Sequence, residues 1–284
     1  MPKISIVIPT YNRAFVISRA MDSVLGQTFS DWECIVVDDR STDNTKGVVD
    51  EYIKKDSRFE YCLNRRNRGA QGARNEGIIR AKGEWILLFD SDDYLYPDYL
   101  EKMAPLLTSN NHIVSCFGRM IEERTGKELQ KMNNLMAGSV FTELLRGNCY
   151  YTYNSSIIRR KCLLEIGLLD EKCPSHQELD THLRMSRLYE YRLVPEILWD
   201  YYVGREDTIS TDSLKHIEGL LYVKRKHLFY YRTKAYRSFL VGMRHLWELT
   251  EEQYGKRETL RRKILLLAPE LPFFLMKRKM KKLC

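Results

Sequence analysis

No stretch of this 284-residue chain approaches the roughly 20 consecutive apolar residues that a membrane-spanning helix needs. The longest candidate, Ile264 to Met276, is broken by Pro269, Glu270 and Pro272. The opening apolar run, Ile4 to Ile8, is too short for a secretory signal and stops at Pro9, so neither a leader nor a span is expected. Seven cysteines are an odd number, and none falls in a C-x-x-C pair, which argues against a disulfide framework or a zinc site. A reducing compartment fits best. No G-x-G-x-x-G follows the first strand-like run, so a Rossmann dehydrogenase is not indicated. Internal repeats are also missing, which sets aside collagen-like and mucin-like architectures.

What the chain does contain is the balance of a globular protein, 44% hydrophobic and 30% charged. Its length gives room for one large domain or two small ones. The formal charge of +8 is unevenly spread. Residues 215–284 hold 18 Lys/Arg against 6 Asp/Glu, a local charge of +12, whereas residues 1–214 hold 28 against 32, a charge of −4. An anionic partner drawn by bulk charge therefore meets the C-terminal end and not the body. Nucleic acid is not expected as a partner, because the body is net acidic and its strand-end loops carry carboxylates that repel phosphate unless a metal intervenes.

The first half alternates two periodicities. Lys3–Ile8, Glu33–Val37, Phe59–Leu63 and Trp85–Phe89 read as strands, and Phe15–Leu25, Thr45–Ile53 and Ala73–Ala81 as the helices between them. The order β-α-β-α implies a largely parallel sheet with helices on both faces. Beyond residue 110 the pattern loosens: His112–Phe117 and Ser155–Arg159 are candidate strands and Glu178–Leu188 a candidate helix. From Leu214 onward the chain reads as helical, basic and rich in Tyr and Phe.

In open α/β sheets, ligands bind beyond the carboxyl ends of the parallel strands. Here those ends carry Pro9-Thr10-Tyr11-Asn12-Arg13, then Asp38-Asp39-Arg40-Ser41, then Asp90-Ser91-Asp92-Asp93. Asp and Ser punctuate turns, so any one of these loops is weak as a signal. Three in order on one rim are not. Asp90 and Asp92, two apart on an extended segment, project to the same side and can hold a hard cation such as Mn²⁺ or Mg²⁺ through oxygen ligands. Such a cation keeps positions open for phosphate oxygens, which suits a nucleotide diphosphate.

Together with Asn67-Arg68-Gly69 and Ala73-Arg74-Asn75-Glu76-Gly77, these segments resemble glycosyltransferase family 2. The resemblance is dense over residues 3–100, thinner to about residue 212, and does not reach the C-terminal segment. It implies an α/β fold of GT-A type: a Rossmann-like, mostly parallel sheet flanked by helices, followed by a helical, basic C-terminal extension. Residues 1–214 would form the catalytic domain, with 1–110 its nucleotide-binding half and 111–214 its acceptor half; 215–284 would be the extension.

The resemblance also implies roles. Pro9, Thr10 and Tyr11 would line the nucleoside pocket, with Tyr11 on the base and Arg13 beside them. Asp39 would accept the imide N–H of uracil, a contact cytosine cannot offer. Arg74 would help fix the diphosphate. Asp92 would be the chief metal ligand, with Asp90 also at the metal and against the ribose and donor sugar, and Ser91 between them. Glu178 falls on the catalytic base and Asp180 on its acidic companion; the family more often has Asp at the base position. Arg205, in a loop resembling the one that closes over the diphosphate, would meet the leaving group.

The implied activity is inverting, metal-dependent transfer from a UDP-sugar to a hydroxyl of a glycan or lipid-linked acceptor in envelope polysaccharide synthesis. A sugar-nucleotide pyrophosphorylase is the rival, but such enzymes usually open with a glycine-rich, basic loop where this chain has Pro9-Thr10-Tyr11-Asn12. In the extension, Lys224-Arg225-Lys226, Arg261-Arg262-Lys263 and Lys277-Arg278-Lys279 alternate with apolar patches such as Leu228-Phe229-Tyr230-Tyr231 and Phe273-Phe274-Leu275-Met276. Basic residues flanking Leu and aromatics suit an anionic membrane surface. Packing of that apolar material on the catalytic domain is the alternative. The expected location is cytoplasmic and peripheral, on the inner face of the membrane.

Overall fold

A computed structural model describes residues 2–64, 69–204, 213–250, 253 and 255–272. The chain opens with β1 (Ile4–Thr10), α1 (Ile17–Leu25), β2 (Trp32–Asp38), α2 (Thr45–Lys55), β3 (Phe59–Leu63), α3 (Gly69–Arg80) and β4 (Trp85–Leu88). Four parallel strands result, in the order β3-β2-β1-β4. β1 and β2 are buried along their whole length, which is why both read as continuous apolar runs with no polar alternation. The period of two sorts their side chains between layers. Ile4, Ile6 and Ile8 point into one core with residues of α1 and α2, while Val7, Ile35 and Val37 point into a second core on the other face, with Ala73 and Ile78 of α3. Within this run the carboxylate of Glu33 accepts bonds from Ser5 Oγ and the Lys82 N–H, both at 2.6 Å.

The second half adds β5 (Tyr94–Leu95), α4 (Tyr99–Met103), β6 (Ile113–Glu122), β7 (Glu128–Met132), α5 (Phe141–Arg146), β8 (Ser156–Arg159), α6 (Arg160–Glu165), α7 (Gln177–Met185) and β9 (Tyr191–Val203). Among the described residues these extend one sheet to nine strands, continuing β4-β8-β6-β9-β5, with β7 paired to β6. Pairing here is mixed: β8 is antiparallel to both neighbours and β6 runs parallel to β9, so the purely parallel run belongs to the first half. The 13-residue β9 carries Pro195, and the pairing with β6 jumps there from Cys116↔Val194 to Phe117↔Ile197. The extra residues bulge out and take the missing N–H with them.

The C-terminal segment forms α8 (Ser213–Lys226), α9 (Leu228–Lys234), α10 (Tyr236–Leu249) and α11 (Arg257–Leu267). Ile217, Leu221, Phe239, Met243, Leu260 and Ile264 are buried in the same core as Val7 and Ile86 of the sheet. Of the apolar patches in the extension, Ile264 and Leu267 are therefore interior, while Phe229 and Leu266 remain 70% and 81% exposed. Phe273-Phe274-Leu275-Met276 and Lys277-Arg278-Lys279 lie outside the described residues. No helix among the described residues is long and apolar enough to cross a membrane.

Candidate active site

The carboxyl ends of β1 and β2 are laced together. The Asp39 N–H donates to the Thr10 carbonyl at 2.8 Å, the Asn12 N–H to Ser41 Oγ at 2.8 Å, and the Thr42 N–H to Asn12 Oδ1 at 2.7 Å. Asn12 takes φ 52 and Arg40 φ 73 to make these turns, a left-handed backbone that Asn adopts more readily than most side chains. The Arg13 N–H donates to Thr45 Oγ1 at 2.9 Å. Pro9 and Thr10 are buried, and Thr10 Oγ1 has no hydrogen-bond partner; Tyr11 stands 53% exposed above them. Asp38 and Asp39 divide the work. Asp38 accepts from the Ser41 N–H at 2.7 Å and from Tyr61 Oη at 2.9 Å, so it shapes its own turn. Asp39 accepts from Asn64 Nδ2 at 2.7 Å and from the Gly69 N–H at 2.9 Å, which ties the end of β2 to the start of α3.

One turn into α3, Arg74 is buried, with its guanidinium 4.7 Å from the centre of the Tyr153 ring. It donates to Gln71 Oε1 at 2.9 Å and to Asp90 Oδ1 at 2.5 Å. Burial alone would lower its pKa; the Asp90 charge more than reverses this, aided by Tyr153 and Glu178, and the value stands above the ordinary one. Its Nε has no partner in this buried position. Arg74 therefore braces Asp90 as well as offering a fixed positive charge.

The Asp90-Ser91-Asp92-Asp93 turn is held from three sides. The Asp90 N–H donates to Asn154 Oδ1 at 3.0 Å, while Nδ2 of the same Asn154 donates to Asp93. Asp93 is fully buried and also accepts from the Tyr202 N–H at 3.0 Å. Burial, with Asp92 and Asp90 alongside, pushes its carboxyl well above the usual range. From α1, Arg19 donates to the Asp92 carbonyl at 3.0 Å, pairs with Glu123 and lies 4.0 Å from the centre of the Tyr202 ring. Ser91 is buried and Asp92 half-buried. Among the described residues no group of three or more His, Cys, Asp or Glu converges as a metal centre. The Asp90/Asp92 pair supplies oxygen only, a donor set that fits a hard cation whose other positions come from diphosphate oxygens and water.

Asp90 and Glu178 share a cavity of about 330 Å³, also lined by Met120, Gln130, Tyr150, Asn154 and Trp199. That volume is at the small end of ligand pockets, about 300–1,000 Å³. Burial raises the pKa of Glu178, Arg74 opposes the rise and Asp90 adds to it, leaving the carboxyl above its ordinary value. Among the described residues no side chain donates a hydrogen bond to its carboxylate, whose oxygens face the cavity; its own backbone N–H favours the charged form. Trp199 packs flat on Gly118: a Cβ there would stand 2.3 Å from Cε2 of the indole, so only glycine admits the ring.

Asp180 is not brought to this cavity. Two residues along a helix are about 200° apart, which points Asp180 away from Glu178. Its oxygens accept from Nε2 of His227, Nζ of Lys226 and Nε of Arg184, each at 2.9 Å. Burial would raise its pKa, but these partners hold it down to about 2. Arg205 lies outside the described residues. A groove of about 610 Å³ at the sheet edge, lined by Asn64, Asn75, Glu76 and Arg80, holds none of the predicted residues except through its proximity to Asp39.

The family model described as Glycosyl transferase family 2 matches residues 5–167. The chain belongs to glycosyl transferase family 2. An uncharacterized glycosyltransferase of Haemophilus influenzae is 36% identical over 252 residues, covering 84% of this chain and 98% of that protein. A GalNAc(5)-diNAcBac-PP-undecaprenol beta-1,3-glucosyltransferase of Campylobacter jejuni is 31% identical over 168 residues, 57% of this chain and 54% of its own length. The chain thus spans about half the length of that relative. The crystal structure of S. aureus TarS 1-349 with UDP-GlcNAc superposes with a TM-score of 0.67 at 16% identity, over 97% of this chain and 92% of that one. The fold of this family 2 glycosyltransferase is accordingly of GT-A type.

Sequence reasoning missed Asn154, Arg19, Tyr150 and Trp199. Asn154 and Arg19 carry no motif, and only the fold shows them clamping the acidic turn. The aromatic walls stand on β9 and the segment before β8, whose pairing partners are remote in sequence.

Proposed function

We propose that this family 2 glycosyltransferase moves a hexosyl group, with inversion, from a UDP-sugar to a hydroxyl of a lipid-linked sugar or other glycan acceptor in envelope polysaccharide assembly. The observation that carries the reading is the shared cavity, where Asp90 on the nucleotide side faces Glu178 on the acceptor side. Glu178 takes the proton of the acceptor hydroxyl as that oxygen attacks the anomeric carbon opposite the diphosphate. Direct displacement by a single nucleophile inverts the configuration and needs no covalent intermediate. Asp90 and Asp92 would hold Mn²⁺ or Mg²⁺, which when bound neutralises charge on the leaving diphosphate. Arg74 adds a fixed cation beside Asp90, and Tyr150 and Trp199 wall the cavity with apolar surface for a sugar face.

Three facts support the choice of substrates. The Campylobacter relative is named for a polyprenyl-diphosphate-linked glycan, and TarS was crystallised with UDP-GlcNAc. The rim also carries the carboxylate of Asp39 at the end of β2, suited to the imide N–H of uracil. The +12 charge of residues 215–284, together with the proposed lipid-linked acceptor, supports a peripheral location on the inner, cytoplasmic face of an anionic membrane.

The test is incubation of the chain with UDP- and GDP-sugars, Mn²⁺ and polyprenyl-diphosphate-linked saccharides, read by mass spectrometry and by the anomeric coupling of the product. Transfer from a UDP-sugar with inverted configuration is expected. A retained configuration, or transfer from GDP-sugars alone, refutes the corresponding part.

A further inference from the structure

α7, which presents Glu178, is a short helix whose anchors to the catalytic domain lie after its first turn: Thr181 on Tyr153, His182 on Tyr191, and Arg184 on the carbonyls of Ile166 and Leu168. It starts from His176 at φ 55, and no side chain caps its first turn. The segment that leads into it, residues 170–176, is instead held by α8 of the C-terminal segment. Ser175 Oγ donates to the Lys215 carbonyl at 2.7 Å. Nε2 of His176 and Nδ1 of His216 share a hydrogen bond of 3.1 Å. Asp170 accepts from Tyr222 Oη at 2.8 Å and from Lys226 Nζ at 2.6 Å. Gly219 is the point of closest approach: a Cβ there would lie 2.0 Å from Ser175 Oγ and 2.7 Å from the Ser175 carbonyl oxygen.

The helix itself is gripped at Asp180. That carboxylate is 1% exposed, and the Lys226 ammonium bridges it to Asp170 while His227 takes its other oxygen. A buried carboxylate with three donors tolerates little displacement, since each lost partner strands a charge away from water. Because Asp180 and Glu178 lie on opposite faces of one helical turn, fixing the first fixes the second.

We infer that the C-terminal helices are a positioning element of the active site: Asp180, Lys226 and His227 hold α7 so that Glu178 stays in register with Asp90 across the cavity. The extension thereby acts on the chemical step through Glu178 and not on donor binding, which uses the β1, β2 and β4 ends. The inference rests on the role of Glu178 proposed above, and deepens it.

The experiment uses the full chain in four forms: wild type, K226M, K226R and the more severe D180N. Lys226 is partly exposed, so K226M leaves His227 and Arg184 on Asp180 and should fold. For K226M we expect kcat to fall about tenfold, the scale on which sub-ångström misplacement acts, with KM for the donor and UDP affinity unchanged. K226R should restore most of the loss. Hydrogen exchange should quicken at the α7 amides 177–185 and not in α3. An unchanged kcat in a folded K226M, or a parallel loss of UDP affinity, overturns the inference. The exchange arm reads the tether with no substrate, so unaltered α7 protection in K226M and D180N also overturns it, even if the proposed transfer itself proves wrong.

Discussion

Replacing Glu178 by Gln keeps the side chain's size and hydrogen-bonding shape and removes only its ability to take a proton. Among the described residues its oxygens have no side-chain donor, so the isosteric amide strands no partner in the cavity. General-base assistance contributes about 10²–10⁴ in rate, so turnover should fall by about that factor, equivalent to about 3–5 kcal/mol on the barrier. UDP binding should be unaffected, because the nucleotide side of the site lies at the strand ends. The assay is steady-state transfer together with calorimetric titration of UDP.

The displaced pKa adds two checks. Burial raises the Glu178 carboxyl above its ordinary value of about 4.3, so turnover in wild type should decline with falling pH through a limb above that value. That limb should be missing from any residual activity of E178Q. For stability the sign is opposite to that of a paired carboxylate. A group whose native pKa exceeds its unfolded one binds its proton more tightly when folded, and its contribution is lost as pH rises through the native value. At pH 7 the wild-type charge is therefore a cost, and E178Q should melt no lower than wild type. A variant that turns over within tenfold of wild type, or keeps the acid limb, moves the base elsewhere.

Asp92→Ala should abolish the Mn²⁺-dependent part of UDP affinity while the fold survives, since the Arg19 contact is to the backbone carbonyl and persists; UDP titration with and without chelator checks it. Gly118→Ala should drive a methyl into the Trp199 indole, costing about 1–3 kcal/mol in denaturant melts and weakening saturation by the sugar substrate. Acid should destabilise the protein early: burial holds His176 at about 4 and His182 at about 3, against about 6.5 when unfolded, so each contribution is full above pH 6.5 and falls by about 1.4 kcal/mol per pH unit down to those values. H182N should flatten that part of the pH-stability curve.

The nucleotide half was legible because its strands are buried on both faces and each ends in residues that only a turn or a ligand explains. Strand ends, the acidic turn and Arg74 all fell where the alternation of periods put them. The acceptor half was legible only in part: the strands read at 112–117 and 155–159 and the helix at 178–188 correspond to β6, β8 and α7, while β7 and β9 were missed for identifiable reasons. Pro195 interrupts β9 in sequence, yet in the fold it sits in a bulge where no ladder bond is required. β7 alternates no apolar face, since its first four residues are exposed. The resemblance to the family implied Asp180 as the acidic companion of Glu178. A helix over these residues already implies opposite faces, and the structure shows Asp180 serving the helices behind it.

The basic excess of residues 215–284 marked a change of composition that the interior does not share. Most charged positions of α8 to α11 face outward, but Lys226 turns in to Asp170 and Asp180 and Lys224 lies over the Tyr231 and Phe239 rings, while apolar residues every third or fourth position enter the core beneath the sheet. Burying a Leu, Ile or Phe contributes about 1.5–3 kcal/mol, against a net domain stability of about 5–15 kcal/mol. Ile217, Leu221, Phe239, Met243, Leu260 and Ile264 together contribute about 9–18 kcal/mol, comparable to that whole margin, so removing them should strongly destabilise the catalytic half. A surface role for the extension must then be borne by what these helices leave outside, such as Phe229 and Leu266 among the described residues, with the exposed Arg225 and Arg262 four residues before them. The same helices thus face two ways: their apolar stripes complete the core that supports α7, and their basic outer faces are what an anionic surface would meet.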